Sequence, residues 1–198
     1  MSDDSEVIGR SIEEPAQFAV LFDRHARTVH NYAARRVGSD DANDIMSETF
    51  LVAFERRGDF DLAVASARPW LLGIATRVMH RHVRVEARAW RGMVAALAAE
   101  VSPDLIDQAG GRIDATRLTR RLRAALRGLH ARDRDVLLLY AWGDLDYSGI
   151  AAALEIPVGT VRSRLNRARR AMRAAAGLLD SEDTETEHGR AAAAAPSA

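Results

Sequence analysis

Between Asp146 and Arg173 the chain reads DYSGIAAALEIPVGTVRSRLNRARRAMR, and no other stretch restricts the fold as tightly. Ile150, Ala151 and Leu154 share one side of a short helix, EIPVG makes a tight turn, and a second helix follows with Thr160 as its expected cap. On that second helix Val161, Leu165, Ala168 and Met172 recur at steps of four, three and four, the buried stripe of a helix lying on a small core. The outward face carries Arg162, Ser163, Asn166, Arg167 and Arg170, flanked by Arg169 and Arg173, and no acid occurs from Thr160 to Arg173. Arginine can donate two hydrogen bonds to a guanine edge, asparagine can do the same to adenine, and a short serine lets the helix approach closely. The pattern therefore suits a helix-turn-helix reading the DNA major groove. A basic helix also suits RNA or a membrane surface, but the short preceding helix, the Pro–Gly turn and the clean buried stripe favour DNA.

The rest of the chain has the same helical period, and β-branched runs are scarce, so the fold class is all-α. Leu118, Leu122, Leu126 and Leu129 predict one helix and DRDVLLLYAWG another. Near the N-terminus, Phe18, Leu21, Phe22, Val29 and Tyr32 predict a helix that stops at Gly38. The next opens at Ser39 or Asp40 and buries Ala42, Ile45, Thr49, Val52 and Ala53. Its other face lines up Asp41, Asp44, Ser47, Glu48, Leu51 and Glu55, an acidic stripe with a leucine in it that is either a solvated face or a surface for a partner. A third helix begins in ARPWLLGIATRVMHRHVR, with Pro69 in its first turn and Leu71, Ile74, Ala75, Val78 and Val85 inward. Round from that core side lie Trp70, Arg77, Arg81, Arg84 and Arg88, with His80 near the edge. Trp70 either caps the core or stands among the arginines to stack on unpaired bases beside phosphate contacts.

Charge divides the chain as the helices do. The 28 basic residues, all arginine, balance 28 acidic ones. By segment the charge runs −5 over residues 1–60, +4 over 61–91, −3 over 92–116, +8 over 117–173 and −4 over 174–198. Two basic blocks separated by acidic ones point to nucleic acid at two places. The expected organisation is two small helical domains, 15–91 and 117–176, joined by a flexible linker over 92–116 whose centre holds Pro103, Gly110 and Gly111. Residues 1–14 are expected to be a flexible N-terminus and 177–198 a disordered tail. With no cysteine, disulfides, zinc fingers, iron–sulfur ligation and thiol catalysis are excluded. His80 and His82 lie about 200° apart round one helix and cannot share a metal. No phosphate-cradling glycine loop or paired-carboxylate pattern appears either, so no metal, cofactor or enzymatic activity is expected. No apolar run approaches the roughly 18 residues of a membrane span, so a soluble, cytoplasmic protein without membrane insertion is expected.

From Phe18 to Arg173 these residues resemble the sigma-70 family of bacterial transcription initiation factors, and within it the small extracytoplasmic-function (ECF) group. FAVLFDRHARTVHNYAARRVGSDDANDIMSETFLVAFE is similar to the core-binding part of region 2, and ARPWLLGIATRVMHRHVR to its promoter-melting part. RDVLLLYAWGDLDYSGIAAALEIPVGTVRSRLNRAR is similar to region 4, with PVGTVRSRL as a highly specific signature. The resemblance implies a sigma factor that binds core RNA polymerase, directs it to promoters and assists melting. It implies that Asp41, Asp44, Ser47, Glu48 and Leu51 dock on the β′ clamp coiled coil. Trp70, Arg77, His80, Arg81 and Arg84, with the loop before them, would engage the melted minus-ten element. Thr160, Arg162, Ser163, Asn166, Arg167 and Arg170 would read the duplex minus-thirty-five element while their domain touches the β flap. The linker would run toward the RNA exit path, and an anti-sigma factor is an expected partner. The sequence departs from the family pattern at Ser47 (usually glutamine), Gly149 (glutamate), Arg77 (asparagine) and Arg81 (aspartate). Gly149 costs about 1 kcal/mol of helix propensity relative to alanine. A stand-alone helix-turn-helix regulator acting as a dimer is the alternative, and it leaves the Trp70 face and the Asp44 and Glu48 face without a role.

Overall fold

The computed structural model describes the backbone of residues 3–97 and 113–177 and the side chains of 3–82 and 118–177. Among the described residues there are eight α-helices, two short 3-10 turns and no strand. The expectation of a flexible segment over residues 1–14 is overturned, because Asp4–Glu13 form helix α1. Asp3 caps it, its carboxylate accepting the Glu6 N–H at 2.9 Å. Val7 and Ile8 are buried at 2% and 0% exposure, so a helix that reads as polar still has an inward side.

A 3-10 turn over Pro15–Phe18 leads into α2 (Ala19–Val37), which buries Leu21, Val29, Tyr32 and Ala33. Phe22, expected inward, is exposed and lies edge-on to Phe50 at 4.8 Å. α2 stops at Gly38, whose φ of 103° is open to glycine and costly for other residues. α3 (Ser39–Glu55) starts at once, with Asp40 and Asp41 in its first turn, where the helix dipole favours acids. Ala42, Ile45, Thr49 and Ala53 are buried as the period predicts, and Val52 is half-buried. A turn over Arg57–Asp59 and an extended loop lead to α4 (Arg68–Leu97). Every residue of α4 from Leu71 to Thr76 is buried. A helix apolar all round must be covered on more than one side, and α4 packs against α2, α3 and α7 (Tyr147–Leu154).

The described residues of 1–103 and 138–161 form one compact unit, and those of 104–137 and 162–198 form another. The second unit holds α5 (Ile113–Gly128), the start of α6 (Ala131–Ala141) and most of α8 (Val158–Ala176). Of the leucine stripe predicted on α5, Leu118 is exposed and Leu122, Leu126 and Leu129 are half-buried. In α8, Leu165 and Ala168 are buried, as is Val161 just before them, while Met172 is half-buried. α4 runs to Leu97 and α5 begins at Ile113, so both ends of the predicted linker are helical. Its remainder, and the predicted tail beyond Gly177, lie outside the described residues.

The helix-turn-helix turn is built from local hydrogen bonds. Asp146 caps α7, its Oδ1 accepting the Gly149 N–H at 2.7 Å. Glu155 takes the left-handed conformation (φ 55°, ψ 48°), which lets the Ile156 N–H reach the Ala151 carbonyl at 3.0 Å and closes the helix. The Pro157 carbonyl then accepts the N–H groups of Thr160 and Val161 at 2.9 and 3.2 Å. α8 therefore starts at Val158, and Thr160 sits inside its first turn instead of capping it. The proline, with its φ preset for helix entry, moves the start forward.

Candidate nucleic-acid interface

Three helix faces carry the predicted site residues. On α4, Trp70 is half-buried, its ring tilted against Phe60 with centroids 5.1 Å apart. It thus covers part of the core and leaves part of the indole outward. Arg77 is exposed and pairs with Glu155 at 3.0 Å. Arg81 is exposed and hydrogen-bonded to Glu48 of α3. His80 receives Nη2 of Arg36 on its Nε2 at 3.0 Å. Because a guanidinium only donates, that nitrogen is an acceptor and the imidazole proton sits on Nδ1. The side chain of Arg84 lies outside the described residues.

Gly73 falls in the middle of this stripe, three residues after Trp70 and four before Arg77. A Cβ there would stand 2.2 Å from the Ala153 carbonyl oxygen, so the backbone of α7 lies directly on α4 at this point. One turn earlier, Arg68 donates to the Gly143 carbonyl at 2.6 Å. Residues 143–155 thus meet the face predicted to take unpaired DNA. The glycine was the one legible trace of that contact, since glycine mid-helix costs about 1 kcal/mol and needs a packing reason.

On α3, Asp44, Ser47 and Leu51 are exposed, Leu51 at 57%, while Asp41 and Glu48 are half-buried. Glu48 binds Arg81, and Asp41 lies 3.7 Å from Nε2 of His82. The acidic face of α3 and the basic stripe of α4 therefore meet along one edge. The largely exposed Arg81–Glu48 pair contributes at most about 1 kcal/mol, so Arg81 can exchange its carboxylate for a phosphate.

On α8, Arg162, Ser163, Asn166, Arg167 and Arg170 are all exposed and Thr160 is half-buried. Arg167 has a partner that periodicity does not reveal. Its Nε and Nη2 grip the two oxygens of Asp133 on α6 at 3.0 and 2.9 Å. The hydrogen bonds to Asp133, and then its charge, hold the guanidinium still more firmly protonated. Arg167 is therefore fixed in direction, whereas Arg162, Asn166 and Arg170 project from the same face. No cluster of metal-ligating side chains occurs among the described residues, and no helix among them is long and apolar enough to cross a membrane.

Residues 21–89 match the family model for sigma-70 region 2, and residues 119–172 the model for sigma-70 region 4. The chain is 40% identical over 143 residues to the ECF RNA polymerase sigma factor SigC of Mycobacterium tuberculosis, which covers 69% of each protein. With SigL of the same species the identity is 31% over 172 residues, covering 85% of this chain and 94% of SigL. Two solved structures share the fold. CnrH in complex with the cytosolic domain of CnrY superposes with a TM-score of 0.60 at 24% identity, over 90% of this chain and 98% of that one. RpoE from Bartonella quintana, solved with the anti-sigma factor NepR, gives 0.56 at 21% identity, over 83% and 98%.

Proposed function

The chain belongs to the ECF group of the sigma-70 family and is an RNA polymerase sigma factor that directs promoter-specific transcription, and from that premise we propose how its surfaces divide the work. Residues 15–91 act as region 2 and 117–176 as region 4, with 92–116 threading between them toward the RNA exit path. Asp41, Asp44, Ser47, Glu48 and Leu51 dock on the β′ clamp coiled coil. The sign of this face is wrong for DNA, and Leu51 at 57% exposure supplies an apolar contact beside the carboxylates. Trp70, Arg77, His80, Arg81 and Arg84 hold the melted minus-ten strand, the indole stacking on a base and the arginines meeting phosphate. His80 contributes by holding Arg36 in place, since its Nε2 is already taken. Arg162, Ser163, Asn166 and Arg170 reach base edges of the minus-thirty-five duplex from α8, with Thr160 at the groove entrance. Arg167, held by Asp133, offers its remaining donors in one fixed direction. The same domain touches the β flap.

The observation that carries this reading is the pairing, on one chain, of an acidic helix face bearing an exposed leucine with an acid-free arginine face on a helix-turn-helix. A DNA-binding regulator needs only the second. The factor works in the cytoplasm, and an anti-sigma factor holds it inactive. That partner is supported by the RpoE relative, which was solved with one. Run-off transcription with purified core polymerase on a randomised promoter library tests the whole assignment. Specific initiation only when the chain is added, from templates sharing two spaced motifs, is the expected result. Duplex binding without any transcript would overturn it.

A further inference from the structure

Asp4 is 7% exposed, and its carboxylate meets three donors: Nη1 of Arg24 at 3.0 Å, Nε2 of His25 at 2.7 Å and the N–H of Ala67 at 2.9 Å. Its own N–H donates to the Ala65 carbonyl at 3.1 Å. One residue of α1 thus grips the backbone on both sides of Ser66, immediately before α4. At the far end of α1 the Ser11 carbonyl accepts Nε of Arg57 at 3.1 Å. Between these contacts Gly9 faces Leu62, whose methyl groups lie 3.7 Å from where a Cβ would stand.

α1 therefore spans residues 57–67 from end to end, while the side chains from Asp61 to Ser66 are exposed. A loop that buries so little of itself takes its shape from what holds its backbone. Phe60, a buried residue of this loop, is the ring on which Trp70 leans. α1 lies outside the region 2 match over residues 21–89. Its docking is already served by Val7 and Ile8, and burying a carboxylate is a poor way to add stability. What a buried, fully partnered charge does well is fix one geometry.

We infer that Asp4 is a positioning residue for promoter-strand recognition: by clamping Ala65 and Ala67 it sets the 57–67 loop and the Phe60–Trp70 pair against which an unpaired base stacks. This rests on the reading of Trp70 proposed above. Asp4 touches no DNA, so its effect passes through Trp70.

The test uses holoenzyme assembled from the full chain and core polymerase. The probes are a fluorescent single-stranded oligonucleotide carrying the downstream motif recovered from the promoter library and a scrambled control. Asp4→Asn should lower the preference for the motif about fivefold, leave core affinity unchanged, and add nothing in a Trp70→Ala background. A folded Asp4→Asn protein with undiminished preference overturns the inference, as do losses that simply multiply in the double variant. If Trp70→Ala alone leaves the preference intact, the reading of Trp70 has failed and the inference falls with it. Should Asp4→Asn fail to fold by circular dichroism, Arg57→Met loosens the other end of the same loop and is judged by the same outcomes.

Discussion

Replacing Gly73 by alanine asks for space that the structure does not have. The new Cβ would stand 2.2 Å from the Ala153 carbonyl oxygen and 3.0 and 3.1 Å from the neighbouring carbonyl carbon and Cα. A close C···O contact is about 3.3 Å, so α4 and α7 must part by about 1 Å. All three atoms are backbone, so no side-chain rotation can absorb the change. Overpacking of this kind costs about 1 to 3 kcal/mol. Alanine in place of a mid-helix glycine returns about 1 kcal/mol. The net is about 0 to 2 kcal/mol against the α4–α7 contact, with α2 and α3 on other sides of α4 untouched. Hydrogen exchange should therefore quicken in residues 147–154, by up to about 30-fold at the upper limit, and stay unchanged in α2 and α3. Because Gly73 shares the Trp70 and Arg77 stripe, parting the helices also loosens Arg77 from Glu155, and single-stranded downstream oligonucleotide should bind more tightly. Unchanged exchange in α7 would refute the close approach. Equal acceleration in α2 and α3 would refute its confinement to one contact.

Four further outcomes follow from the same geometry. Asn166→Ala should cost about 1 to 3 kcal/mol on the selected upstream site and relax one or two base positions, as footprinting on variant sites would show. Arg167→Ala should in addition lower the melting temperature, because it leaves the buried Asp133 carboxylate without its bidentate partner; an unaltered melting temperature would contradict that pairing. Reversing charge at both Asp44 and Glu48 should abolish co-purification with core polymerase while circular dichroism stays helical, whereas Asp44→Ala alone should do little. Burial by itself pushes the Asp4 carboxyl up, but the Ala67 N–H, Arg24 and His25 outweigh it and hold the group below the ordinary carboxylate range. The stability of wild type over Asp4→Asn should then be complete above about pH 4, the unfolded value, and disappear as pH falls through the lower folded one. A stability difference in urea that stays constant from pH 7 to pH 2 would show that Asp4 is not the depressed group.

Much of the molecule was legible because it is governed by residues near one another in the chain. Period alone marked the buried sides of α3 and α8, and glycine chemistry placed the end of α2 at Gly38. Family resemblance was likewise carried by contiguous runs, above all PVGTVRSRL. Where the local reading was incomplete, the deciding partner was distant. The N-terminal segment reads as polar and flexible because its Asp4 is counted as a solvated acid, yet Arg24, His25 and Ala67 neutralise and bury it from 20, 21 and 63 residues away. Arg167 reads as a groove-facing arginine because nothing within its own helix shows that Asp133 lies within 3.0 Å. Trp70 and Arg77 read as an open stripe, although Gly73 between them admits the backbone of a helix 80 residues further on. Local sequence sets which side of a helix is apolar, since that depends on a fixed angle per residue. Which charges are spent inside the protein and which remain for a partner depends on distances between segments, and those exist only once the chain has folded.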